Sequence, residues 1–93
     1  MGNILGDKLP PLPEPDADGL TPAVEFGRAL LARKIIERRE AVGLSQADLV
    51  RLARLRVETL NRVERAKVNP DERTLKKIMR SLEKAEEAKP ARR

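Results

Sequence analysis

Ninety-three residues leave room for one small domain, and a single Phe with no Trp or Tyr leaves its core to Leu, Ile, Val and Ala. The absence of Cys rules out a disulfide or thiolate zinc site and fits a reducing cytoplasm, and the absence of His removes the commonest general base and metal ligand. No run of about 18 apolar residues is present to span a membrane, and with 38% charged residues around so thin a core, homodimerisation is an expected aid to stability.

The net charge of +5 is unevenly spread. Residues 1–20 hold Asp7, Glu14, Asp16 and Asp18 against Lys8 alone, a net −3, which leaves +8 for residues 21–93. A basic body of that kind attracts phosphate without regard to sequence. Met1-Gly2-Asn3-Ile4-Leu5-Gly6 has neither the basic start of a signal peptide nor the Ser or Thr of a myristoylation site. Pro10, Pro11, Pro13 and Pro15, followed by Asp16-Ala17-Asp18-Gly19, forbid helix and favour an extended, polyproline-like arm over residues 1–20. Such an arm is either a leader without a role, a cover for the basic surface, or a docking strip for a protein partner. In the last case Leu9 and Leu12, with Ile4 and Leu5, supply apolar contact, and Glu14, Asp16 and Asp18 supply charge.

Thr21-Pro22 predicts a helix start, with a capping hydroxyl and Pro in the first turn, and the helix is expected to run to Val42 and stop at Gly43. Val24, Leu31, Ile35 and Val42 mark its expected buried edge, with Ala32 and Ile36 beside it, while Phe26 and Leu30 point elsewhere on the wheel. A second helix, about 46–53, opens with Ser45 as N-cap and Asp48 in the acidic place of a capping box; Leu49, Val50 and Ala53 form its apolar face. After a short turn at Arg54-Leu55-Arg56, a third helix, about 57–65, turns Leu60 and Val63 inward. Its opposite stripe of Val57, Glu58, Asn61, Arg62 and Arg65 is almost wholly polar. Two helices this short must brace each other and a third element, and the polar second member marks a DNA-binding helix-turn-helix. Asn69-Pro70-Asp71-Glu72 then predicts a fourth helix with Asn69 as cap, Pro70 first and Glu72 third; Leu75, Ile78, Met79 and Leu82 form its apolar stripe. Fraying is expected around residues 83–88, before the basic end Pro90-Ala91-Arg92-Arg93.

Leu44-Ser45-Gln46-x-x-Leu49-x-x-x-Ala53-x-Leu55, with Thr59-Leu60-x-Arg62-Val63-Glu64-Arg65-x-Lys67-x-Asn69-Pro70, resembles the Cro/phage-repressor (XRE) helix-turn-helix family over residues 28–82. The resemblance implies an all-α fold: a compact repressor-like domain of four or five helices over residues 21–88, with the proline-rich arm before it and a basic tail over residues 89–93. The family's usual Gly is replaced by Arg54 and by Ala66, where a left-handed residue costs more. The apolar residues for a fifth helix are missing, and the added turns before Arg28 can pack either on their own domain or on a dimer mate.

The resemblance further implies that Arg39 and Glu64 form a buried ion pair tying the first helix to the third. It implies that Arg56, Val57, Glu58, Asn61 and Arg62 read bases in the major groove of double-stranded DNA. Arg forks onto guanine, Asn pairs with adenine, Glu accepts from cytosine and Val touches a thymine methyl. Gln46, Arg65, Lys67 and Asn69 are the implied phosphate contacts. The expected function is a sequence-specific, homodimeric, cytoplasmic transcriptional repressor. Small size and the separate acidic arm suit the antitoxin of a toxin–antitoxin pair that represses its own operon; a stand-alone regulator or, less readily, a protein-interaction adaptor fits the same fold. No nucleophile–base constellation, phosphate-cradling Gly loop or metal cluster points to an enzyme, a cofactor or a small-molecule substrate.

Overall fold

The computed structural model describes residues 9–17, 19 and 22–88. Among these the chain is all-helical: α1 (Ala23–Ala41), α2 (Gln46–Ala53), α3 (Val57–Glu64) and α4 (Glu72–Ala88). Their inner faces meet in one core of Ile35, Leu49, Val50, Leu60, Val63, Ile78 and Leu82, ringed by Leu31, Leu44, Leu55, Val68 and Met79. Each fully buried side chain of this size stabilises the fold by about 1.5–3 kcal/mol, so the short α2 and α3 owe their persistence to this core and not to their own length.

The first three helices end in the same way. At the end of α1, Gly43 is left-handed (φ 78°); its N–H donates to Glu40 O and that of Leu44 to Arg39 O. At the end of α2, Arg54 is left-handed (φ 57°) and the Leu55 N–H returns to Val50 O. At the end of α3, Ala66 is left-handed (φ 60°) and the Lys67 N–H returns to Arg62 O. These are Schellman endings, which reverse the chain and satisfy terminal carbonyls. Leu44 and Leu55, each just beyond its turn, then fold back onto the core. Arg54 and Ala66 thus adopt the conformation that Gly43 takes without strain.

Several expectations need correction. Pro22 is the cap of α1 and not its first helical residue: its backbone is extended at ψ 111° and its carbonyl accepts from the Phe26 N–H at 2.9 Å. The expected cap, Thr21, lies outside the described residues. The buried line of α1 is Ala29, Ala32, Ile35, Ile36 and Arg39, whereas Val24 is 55% exposed and Val42 only half-buried. Val24 has the right phase but precedes the first buried residue of the helix, Ala29.

At α4 the cap is Asp71, not Asn69: the Asp71 carboxylate accepts from the Thr74 N–H at 2.8 Å, and Pro70 precedes the cap. These hydrogen bonds hold the Asp71 carboxyl below its ordinary range. Nor does α4 fray at residue 83. It continues to Ala88, where Arg38 of α1 donates through Nε and Nη2 to both carboxylate oxygens of Glu86, at 2.7 and 2.8 Å. No fifth helix is present among the described residues.

The described part of the arm has no regular structure, and it touches the domain where Arg33 Nη1 donates to Pro10 O at 3.1 Å. Leu9, Pro10 and Pro13 are half-buried there, while Leu12, Glu14 and Asp16 stay exposed. Ile4, Leu5, Asp18 and the basic end from Pro90 to Arg93 lie outside the described residues.

Candidate nucleic-acid interface

Ser45 opens α2 with a complete capping box: its hydroxyl accepts from the Asp48 N–H at 3.0 Å, and Asp48 Oδ2 accepts from the Ser45 N–H at 3.0 Å. The Ser45 N–H also lowers the Asp48 pKa more than any other influence. The box fixes Gln46 as the first helical residue, and Gln46 is where the interior of the domain meets its surface.

Arg39, on the buried line of α1, donates through Nε to Glu64 Oε2 at 2.8 Å and through Nη2 to Glu64 Oε1 at 2.9 Å. Its Nη1 caps Leu44 O at 2.9 Å. Both residues are buried, so the fork binds the first helix, the last residue of α3 and the loop before α2 in one place. Glu64 Oε1 accepts once more, from Gln46 Nε2 at 2.8 Å, and Gln46 Oε1 in turn accepts from Asn61 Nδ2 at 3.5 Å. A chain of hydrogen bonds therefore runs from the buried Arg39 out to Asn61 on the polar face of α3.

On that face Val57 is 42% exposed, Glu58 and Arg62 are exposed, and Asn61 is half-buried. Together with Gln46 they line one shallow depression of about 330 Å³. Arg56 stands at the extended cap position of α3 and is exposed. Arg65, Lys67 and Asn69 occupy the loop after α3, all exposed, and no ion pair engages them among the described residues.

The structure thus brings Gln46, Val57, Glu58, Asn61 and Arg62 together. Arg56 sits at one end of the group, and Arg65, Lys67 and Asn69 follow at the other. Of the arm residues, Leu9 and Leu12 lie close to Pro10, whose carbonyl accepts from Arg33 of α1, while Glu14 and Asp16 are exposed further along. The sequence reading missed the second task of Gln46, whose amide is already engaged by Glu64 and Asn61. Only a pairing of residues 18 apart in the chain reveals it.

A known helix-turn-helix family matches residues 35–87, more than half of the chain. The chain belongs to the XRE-type helix-turn-helix family. As such it is a DNA-binding transcription regulator, and family membership goes with binding and not with catalysis. No significant match connects this XRE-type protein to a curated protein or to a solved structure. The family match begins inside α1, so residues 23–34 and the arm precede the shared part. Among the described residues no cluster of His, Cys, Asp and Glu could hold a metal ion, and no helix is long and apolar enough to cross a membrane.

Proposed function

We propose that this XRE-type regulator is a sequence-specific repressor that binds duplex DNA as a homodimer, each copy placing α3 in the major groove of one half-site. The observation that carries this reading is the depression shared by Gln46, Val57, Glu58, Asn61 and Arg62, with Gln46 held from behind by Glu64 and Asn61 in turn by Gln46. A side chain whose amide is already fixed loses little freedom on meeting a base, which favours discrimination over mere adhesion. Arg56 and Arg62 suit guanine, Asn61 adenine, Glu58 cytosine and Val57 a thymine methyl. Gln46, Arg65, Lys67 and Asn69 suit phosphates.

Footprinting on upstream regions is expected to show symmetric protection with half-site centres roughly 34–36 Å apart. Arg62→Ala is expected to cost about 1–3 kcal/mol on the preferred site and relax specificity at one base pair. Lys67→Ala should weaken all sequences alike and lower the salt slope by about one unit. Equal losses on specific and random duplexes for Arg62→Ala would demote this side chain to an anchor.

Within this reading the protein acts as the antitoxin of a toxin–antitoxin pair. What supports it is the arm: acidic where the body is basic, extended, and with Leu12, Glu14 and Asp16 exposed. Deleting residues 1–19 is expected to leave the domain folded and DNA affinity equal or slightly higher, and to weaken binding of the neighbouring gene product severely. Calorimetry with that product decides between this and a stand-alone regulator, for which truncation changes no partner affinity.

A further inference from the structure

The N-terminal half of α1 carries a face that the other described residues leave largely open, the arm's Pro10 meeting α1 at Arg33 beside it. Ala23, Gly27, Leu30, Lys34 and Glu37 recur every three or four residues and so form one line along the helix, with the half-buried Phe26 beside it. Leu30 is 47% exposed, its polar and small neighbours on this line are exposed too, and a Cβ built on Gly27 would meet nothing within 4 Å. The line lies across the helix from Ala32, Ile35 and Ile36, which face the core. Most of it precedes the part of the chain shared with the family. Lys34 and Glu37 form no ion pair among the described residues.

We propose that this line is where two copies of the chain pair, α1 against α1, antiparallel about a two-fold axis at Leu30. The inference rests on the dimeric reading above and supplies its surface. An isologous contact must complement itself, and this one does. With Leu30 on Leu30, Lys34 of each copy falls over Phe26 of the other, the chain's single aromatic ring, in reach of a cation–π contact. Glu37 of each falls at Ala23 of the other, the start of a helix, whose free amides and positive end attract a carboxylate. Gly27 lets the two backbones come close. A parallel pairing would set Lys34 on Lys34 and Glu37 on Glu37, so charge selects the antiparallel one.

The stretch from Ala23 to Glu37 is about 21 Å long at 1.5 Å per residue. A strip roughly 10 Å wide then covers about 200 Å² per copy, well short of the roughly 800 Å² per partner of a stable interface. Pairing is therefore weak between free molecules and takes hold when neighbouring half-sites raise the effective concentration.

The chain has no cysteine, so single introduced thiols report contacts cleanly. Leu30→Cys is compared with Leu52→Cys, an equally open leucine (56% exposed) on α2. Facing Cα atoms of two closely packed helices lie about 4–5 Å apart, within the span of a disulfide. Under mild oxidation, Leu30→Cys is expected to form covalent dimers at rates rising with protein concentration, and faster still with duplex carrying two half-sites; Leu52→Cys should lag at least tenfold. Leu30→Asp is expected to bind a single half-site as before and the two-half-site duplex at least tenfold more weakly. Equal crosslinking at both positions, faster crosslinking at Leu52→Cys, or unchanged two-site affinity for Leu30→Asp would each overturn the proposal. The DNA-free crosslinking arm still reads the pairing if no operator is bound, so failure of the repressor reading is told apart from failure of this one.

Discussion

Glu64 is the residue on which stability and recognition meet. Its carboxylate accepts twice from Arg39 and once from Gln46, all between 2.8 and 2.9 Å, in a buried place. Removing Arg39 alone strands a buried charge, so Arg39→Met is expected to lower the unfolding free energy by about 3–5 kcal/mol in urea titration. Replacing both partners, Arg39→Met with Glu64→Leu, removes the stranded charge along with the pair and is expected to recover most of that loss. Gln46 would still lack its acceptor in the double variant, and Asn61 its fixed neighbour. The double variant is therefore expected to fold nearly as well as the parent and to bind DNA worse, measured by anisotropy on the preferred site. If DNA affinity returns together with stability, the chain from Arg39 to Asn61 is architectural only.

At the level of elements, the three helix endings offer an internal comparison. Gly43, Arg54 and Ala66 have nearly the same backbone conformation, and only the first is a residue for which that conformation is unstrained. A left-handed L-residue costs roughly 1–2 kcal/mol, offset in part by the roughly 0.5–1 kcal/mol of extra chain entropy that Gly loses on folding. Ala66→Gly is thus expected to raise stability by about 0.5–1 kcal/mol, and Gly43→Ala to lower it by a similar amount. Thermal denaturation resolves this, since about 1 kcal/mol moves the midpoint by roughly 4–8 °C in a domain of this size. A fall in midpoint for Ala66→Gly would mean that the methyl group contributes packing that outweighs the strain. The left-handed places were legible in the sequence through the family's glycines, and the capping box at Ser45 through a pattern contained in four residues. The cap of α4 was not, because Asn69 and Asp71 flank Pro70 and both are good caps; the backbone hydrogen bond to Thr74 decides for Asp71. Val24 was misplaced for a related reason. Periodicity reports which side of a helix is apolar, not which turns have a neighbour. The stripe on α3 was legible for the opposite reason: with Leu60 and Val63 turned inward, Glu58 and Arg62 on the other side of the helix face outward. Its anchoring through Gln46 was not, because it depends on residues from three elements meeting at one carboxylate.

At the scale of the whole molecule the titrating groups set how stability responds to pH. The chain has no His, so no side chain with an ordinary pKa changes charge between pH 5 and 8. Among the described residues three carboxyls are held below their ordinary range. Asp48 is lowered first by the Ser45 N–H, Asp71 by the Thr74 N–H and Glu86 by the Arg38 guanidinium. In each case the unfolded chain binds the proton more readily than the folded one, so stability rises with pH across the gap between the two values. The contribution is fully present above the unfolded values, about 3.9 for Asp and 4.3 for Glu, and is lost as pH falls through the lower folded values. All three groups sit at the surface, so each contributes modestly, but they fasten the start of α2, the start of α4 and the far end of α4 to α1. The thermal midpoint is expected to stay level from about pH 8 down to about pH 5 and to fall steeply below about pH 4. Asp71→Asn separates charge from cap: Asn caps a helix about as well as Asp, so the neutral-pH midpoint should change little while the acid slope becomes shallower. A midpoint that already declines between pH 7 and pH 5.5 would mean that groups other than these three carboxyls set the acid response, and a variant slope as steep as the parent's would remove Asp71 from the account.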